Sequence, residues 1–294
     1  MPHYNEPSTP AATITDIDQK VTDADPRDVG NTPTVVNGDS SSPESLPYWL
    51  VNVPRSEWPA ECPEYLRDLV PKSIKCLSTP DEAYKRQDWE LVKEIVGGAA
   101  DRGCLARIGT NHIERFQRVP SDLRRYLEYT AQIKKKYGSV MDFIVQKRLH
   151  WGEGKPEDLK PKGCPFEFDA CLADQFPESP EDIKILYNDW PYGVETDIIH
   201  LVVWVKFELE DDPATDDLTP KARQEIEEYV RRTFCARIPR EEIVWFKNWK
   251  SLKSVHAIEH FHVMIHNPDM DFVRELTHGD MPLIERVKNG ESEF

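Results

Sequence analysis

Four histidines within eleven residues, His256, His260, His262 and His266, all fall on even numbers. In a β-strand successive side chains turn to opposite faces, so a strand over 258–266 places Ile258, His260, His262, Met264 and His266 on one face. Phe261, Val263 and Ile265 then form an apolar face on the other side, which is expected to pack against a layer of helices. Residues 198–207 repeat the pattern, with Ile199, Leu201, Val203, Val205 and Phe207 on one face and His200, Val202 and Trp204 on the other. If the two strands are neighbours, His200 approaches His260 or His262. This alternation admits few folds, because each strand needs an apolar partner on one side and a home for imidazoles on the other.

Two further runs rich in β-branched and aromatic residues, 183–187 and 243–247, complete a candidate sheet. Between them Thr219-Pro220 opens a helix with an inner stripe of Ala222, Ile226, Val230 and Phe234. Before residue 150 the period is helical. Thr79-Pro80-Asp81-Glu82 reads as a capping box for a helix over 80–96, stopped by Gly97-Gly98. Ser121 is the expected cap of a second helix ending at Tyr137-Gly138, and Ser139 that of a third, with Val140, Phe143, Ile144 and Leu149 inward. The predicted class is α+β: an N-terminal helical layer packed on a mostly antiparallel sheet with one inserted helix. Residues 47–294 are read as a single α+β domain, helical over 47–150 and sheet-forming over 180–270. Residues 1–46 hold six prolines, eight acidic and two basic side chains, and no aromatic after Tyr4. They form a predicted disordered acidic tail.

Of 294 residues, 37 are basic and 53 acidic, a formal net charge of −16. Such a field repels phosphate backbones and anionic head groups, which argues against generic nucleic-acid or membrane-surface binding. Lys134, Lys135 and Lys136 read as the solvated end of a helix. The longest apolar run, Leu201 to Val205, is far short of the ~20 residues that span a bilayer. The opening residues lack the basic and apolar regions of a secretory signal, and the six cysteines form no Cys-x-x-Cys pair. A cytoplasmic protein with reduced thiols is expected, with a nuclear location left open. There is no glycine-rich nucleotide loop and no Gly-x-Ser-x-Gly nucleophile elbow.

Chemistry concentrates in three places. His260-x-His262 with His200 has the reach to hold a divalent transition metal, the candidate cofactor, because alternate strand positions bring two imidazoles to one ion. Without a metal, His260 or His262 serves as a general base near neutral pH, with His200 as a polarising catalytic group, and hydrogen-bonded histidines lining a polar core account for the same spacing. Asn188-Asp189-Trp190-Pro191-Tyr192-Gly193 follows a strand and is a rigid turn that displays an amide, a carboxylate, an indole and a phenol. Asp189 is its candidate catalytic carboxylate. Asn188, Trp190 and Tyr192 are candidate ligand contacts, as are Trp204 and Asn248, the latter from the run Trp245 to Ser251. A small polar molecule is the expected ligand. The competing expectation is a non-catalytic protein-interaction or regulatory module, with the acidic tail recruiting a basic partner.

Several of these residues together resemble a fungal family of uncharacterised domains named after the N-acetylglucosamine-induced protein. The resemblance rests on Trp58-Pro59, Tyr126 to Trp151 with its Tyr137-Gly138-Ser139 turn, Asn188-Asp189-Trp190-Pro191-Tyr192, His200 with Trp204, and Asn248, Ser254 and His260-Phe261-His262-Val263. It spans roughly 48–266, and Trp190 stands where Phe or Tyr is expected. What it implies is a fungal cytosolic protein linked to amino-sugar or secondary metabolism. It implies no reaction.

Overall fold

The computed structural model describes residues 46–97, 112–153, 155, 157–162, 180–215, 217–248 and 258–291. The acidic tail up to residue 45, together with Trp249, Ser251, Ser254 and His256, lies outside the described residues. Helices lead the chain. α1 (Pro71–Leu77) begins at a proline. α2 (Trp89–Val96) is capped by Asp88, whose side chain accepts from the Leu91 amide, and it ends at the left-handed Gly97. α3 (Pro120–Tyr137) stops at Gly138, where φ is +85°. α4 (Val140–Phe143), capped by Ser139, continues into a π-helical turn, Ile144–Leu149.

The helix expected over 80–96 forms only from Trp89. Pro80 is extended, residues 81–83 make a single 3-10 turn, and the Thr79 hydroxyl donates back to the Lys75 carbonyl of α1. The carboxylate of that motif caps another helix. Asp81 Oδ1 accepts from the Ser121 amide in the first turn of α3, whose own cap position, Val119, offers no side-chain acceptor. Unpaired amides at a helix start take any well-placed oxygen, near or far in sequence: the capping box expected from Thr79 and Glu82 does not form, and Ser121, expected as the cap of α3, is a first-turn donor to Asp81.

β1 (Ile183–Tyr187) pairs with β2 (Ile198–Val205), followed by the short hairpin of β3 (Asp211–Asp212) and β4 (Asp217–Leu218). α5 (Pro220–Thr233) is capped as expected, the Thr219 hydroxyl accepting from the Ala222 amide. β5 (Ile243–Phe246) and β6 (Glu259–His266) complete a four-stranded antiparallel sheet in the order β1-β2-β6-β5. Two further helices, α6 (Met270–Leu276) and α7 (Leu283–Lys288), had no assignment from the sequence.

The apolar face of the sheet does not meet the N-terminal helices. Leu201, Val203, Val205, Phe261, Val263 and Ile265 pack against Ala222, Ile226 and Val230 of α5, the Phe234 that follows it, and Phe272 and Val273 of α6. The N-terminal layer covers the histidine face instead, and does so as two patches. Trp89, Val92 and Ile95 of α2, with Phe116, cover Ile198, Val244, Phe246 and Met264. Val145 and Leu149 of the π turn, with Trp151, cover Leu186, Val202, Trp204 and Ile258. The reason is complementarity: the α5 stripe seals an uninterrupted apolar surface, whereas a face carrying imidazoles needs a cover with aromatic rings and polar groups at its seam. The histidines lie between the two patches. Ile226 is fully buried, so Ile226→Ala should lower the unfolding free energy by about 2–5 kcal/mol in urea titration. Met281→Ala, at a site 49 % exposed, should change it by less than about 0.5 kcal/mol.

Candidate functional site

The β2–β6 register sets His200 opposite Met264, Val202 opposite His262 and Trp204 opposite His260. His200 and His262 are therefore diagonal neighbours on one face, and His200 Nε2 lies 3.0 Å from His262 Nδ1. His260 stands at the other end of the row, its Nδ1 3.0 Å from the Ile258 carbonyl and its ring stacked on Trp204 at 4.5 Å. Phe246 stacks on His262 at 4.9 Å and Tyr192 on His200 at 5.3 Å. The three imidazoles are only 3 %, 4 % and 6 % exposed for His200, His260 and His262. A cavity of about 200 Å³ beside Trp151 and Ile258 and a groove of about 1010 Å³ along β1 both miss them.

The turn after β1 orients this row. Asn188 Oδ1 accepts from the Trp190 amide, so its NH2 group faces the His200 ring, 3.2 Å from Nε2 and 3.4 Å from Nδ1. A neutral imidazole has one lone pair and one N–H. His200 serves both neighbours with one bond per nitrogen only if Asn188 donates to Nδ1 and Nε2–H donates to His262 Nδ1. That assignment, made from the network, leaves His262 Nε2 as an N–H donor. Among the described residues this buried nitrogen has no hydrogen-bond partner. An unpaired buried donor costs about 1–3 kcal/mol, so the arrangement is one that a ligand acceptor would relieve.

At the Asn188 end of the relay the row nears the surface. Asn188, Tyr192 and Asn248 are half-buried, and Asn248 hydrogen-bonds the Tyr192 hydroxyl. Arg118, which nothing in the sequence singled out, joins them. Its Nε donates to the Trp190 carbonyl at 3.0 Å, and its guanidinium lies over Tyr126 at 4.3 Å and Tyr192 at 5.6 Å. The turn itself is tied to the helical layer through Gly193, whose amide donates to Gln117 and whose carbonyl accepts from Gln87. A Cβ there would come within 2.4 Å of the Tyr84 hydroxyl, so any larger residue would have to displace that ring.

The remaining sequence candidates are placed elsewhere. The hydrogen bonds to the Asp189 carboxylate come from Arg148 and the Leu283 amide, none from a histidine, and Arg148 in turn holds Asp280 with two bonds of 2.8 and 2.9 Å. Burial pushes the Asp189 carboxyl up to about 6 against the pull of Arg148. Trp190 turns away into a cluster with Tyr126 and Tyr129 and is 7 % exposed. Nor do His200, His260 and His262 converge as a metal triad. Two of the nitrogens a metal would need are spent on each other, and no group of three His, Cys, Asp or Glu among the described residues is placed to hold an ion. His266, on the same face, belongs to Trp89, on which it stacks at 5.3 Å, and to Glu242.

Fold and site together define an α+β protein with a neutral histidine pair buried in the seam between sheet and helical layer. Residues 104–266 match the family described as protein of unknown function (DUF3605), and the chain belongs to that family. It is 33 % identical over 180 residues to N-acetylglucosamine-induced protein 1 of Candida albicans, covering 58 % of this chain and 70 % of that one. It is 25 % identical over 206 residues to an uncharacterised protein of Saccharomyces cerevisiae, covering 66 % and 91 %. The crystal structure of HTC1 covers 70 % of this chain and 96 % of its own at 21 % identity, with a TM-score of 0.41.

Burial, with the Arg118 charge adding to it, pushes the His200 imidazole down to about 3. His262 is also held well below its usual range, first by burial and then by His200, His260 and Arg118. Both are neutral near pH 7. As pH falls below about 6.5 the unfolded chain binds protons that the folded chain refuses, so the stability these residues lend is complete above that pH and drains away toward pH 3. Between pH 7 and 5.5 the pair should cost about 2–3 kcal/mol of unfolding free energy, measured by urea titration, and His262→Gln should lose about half of that dependence. Asp189→Asn should destabilise by about 1–3 kcal/mol, less than the orphaning of a buried charge, because Asp280 remains on Arg148. It should leave the His262 ring resonances in place.

Proposed function

We propose that this chain binds a small polar molecule where the histidine face meets the 188–193 turn, with His262 Nε2 as the buried contact and Asn188, Tyr192 and Asn248 around it. The observation that carries this reading is the unpaired His262 nitrogen, 94 % of its residue buried by the 6 % exposure, at the end of an ordered relay from Asn188 through His200. A solely structural polar core gains by pairing every such group. The histidines are neutral near pH 7, which suits donating to and polarising a ligand oxygen. Trp204 with His260 forms the far aromatic wall, and Asp189 holds the turn through Arg148.

The name of the Candida albicans relative records induction by N-acetylglucosamine, which makes amino sugars the first ligands to test. The thiols of Cys62, Cys76 and Cys235 are free, which suits a reducing cytosol, and no helix among the described residues is long and apolar enough to cross a membrane. A non-catalytic regulatory role for the same fold is favoured by the burial of all three imidazoles. Binding and turnover are separated by one experiment. In the full chain with 15N-labelled histidine, glucosamine, N-acetylglucosamine and their 6-phosphates are titrated in turn. At least one should shift the His262 Nε2 resonance saturably, and unchanged resonances with all four would refute the site. Unaltered sugar recovered after prolonged incubation with a shifted resonance would assign binding without catalysis.

A further inference from the structure

We infer that the site is built for an anionic oxygen group, a phosphate or a carboxylate on the small molecule, and that Arg118 is its anchoring residue. The inference rests on the binding reading above and names the chemistry of what is bound. Arg118 comes from the stretch between residue 112 and α3 and reaches the turn after β1, so it belongs to the seam and to no single element. Its side-chain hydrogen bonding among the described residues is confined to Nε on the Trp190 carbonyl, and no carboxylate there pairs with its guanidinium. In a chain of net charge −16, with 53 acidic residues, an arginine with no carboxylate partner among the described residues is a directed feature.

The surroundings agree with an acceptor-rich, negatively charged ligand. The two aromatic faces beneath Arg118, Tyr126 and Tyr192, orient the guanidinium plane and leave its two Nη groups for an oxyanion fork. Tyr192 stacks on His200 at 5.3 Å, which brings the cation to the start of the relay. The relay ends in the His262 Nε2–H donor, and the Arg118 charge acts on both histidines and on Tyr192. The relay therefore has a cation at its start and an N–H donor at its end, and Asp189, the acid of the 188–193 turn, is taken by Arg148. A neutral sugar hydroxyl would leave that charge unanswered, whereas a phosphate or carboxylate accepts from its two Nη groups.

The test is calorimetric titration of the full chain with four probes: N-acetylglucosamine, N-acetylglucosamine 6-phosphate, glucuronate and inorganic phosphate. At least one anionic probe should bind more tightly than N-acetylglucosamine by about tenfold or more, and weaken as sodium chloride is raised. The order of the phosphates against glucuronate identifies the anionic group. R118Q should weaken the anionic probe by about 10- to 100-fold, the range of a charge-assisted pair, while R118K retains most of the affinity. Equal affinity for neutral and anionic probes, or unchanged anion binding in R118Q, overturns the inference. If R118Q does not fold, the Arg118 Nε–H resonance of the unaltered chain decides instead, a shift on anion binding supporting the assignment and an unmoved signal overturning it. The two proposals fail separately. Neutral and anionic probes that both move His262 but ignore R118Q leave the binding site without its anion preference, whereas anion binding that needs Arg118 and survives His262→Gln leaves the anion site without the buried contact.

Discussion

The pairing of β2 with β6 across eight residues, from Ile198 opposite His266 to Val205 opposite Glu259, is the constraint on which the rest depends. Because side chains alternate, this one register sorts every residue of both strands. It sends Leu201, Val203, Phe261, Val263 and Ile265 to α5 and α6, and it sends His200 and His262 to the same side within bonding distance. A slip of one residue would put imidazoles into the aliphatic layer beside Ile226 and Val230 and expel the apolar row into the polar seam. The cost on both faces is what makes the register unique.

The seam is stable because its polar groups are settled in order of need. The full charges are dealt with first and away from the histidines. Arg148 takes Asp189 and Asp280, joining the π turn, the turn after β1 and the segment before α7, and Lys247 takes Asp211 and Glu259 at the opposite end of the sheet. Asp189 also accepts from the amide of Leu283, the first residue of α7, so one carboxylate holds two segments that are remote in the chain. What remains at the centre of the histidine face is His200 and His262, stacked on Tyr192 and Phe246 and paired nitrogen to nitrogen, with His260 stacked on Trp204 beside them. Against this ordering His262 Nε2, without a hydrogen-bond partner among the described residues, stands at one end of the relay, and Arg118, without a carboxylate partner among them, stands at the other.

Much of the fold was legible in the residues. The strands at 183–187 and 258–266 were located to within a residue, and Thr219 caps α5 with its stripe intact, because those signals are local: alternation, a proline, a hydroxyl at the right spacing. The misread helix at 80–96 shows the limit of local signals, since Asp81 does cap a helix but one that begins forty residues later. The assignment of faces failed for a related reason. Parity states which residues stand together, and nothing in it states which layer will cover them.

The same division holds at the site. His200, His262, Asn188, Tyr192 and Asn248 were marked by residue type and by position at strand ends, and they do meet; Asp189 and Trp190 carried equally good signals and are turned elsewhere by Arg148 and by the Tyr126–Tyr129 cluster. Arg118 carried no signal, because a lone arginine after an aromatic in an irregular stretch resembles any surface cation until Tyr126 and Tyr192 close beneath it. The sequence by itself determined the strands, the parity that gathers the histidines and the stripe that seals the apolar face, all consequences of spacing along one backbone. Only the tertiary structure decided which charges cancel, which imidazole nitrogen is left over and which cation stands at the start of the relay, because those outcomes depend on distances between segments that periodicity does not encode.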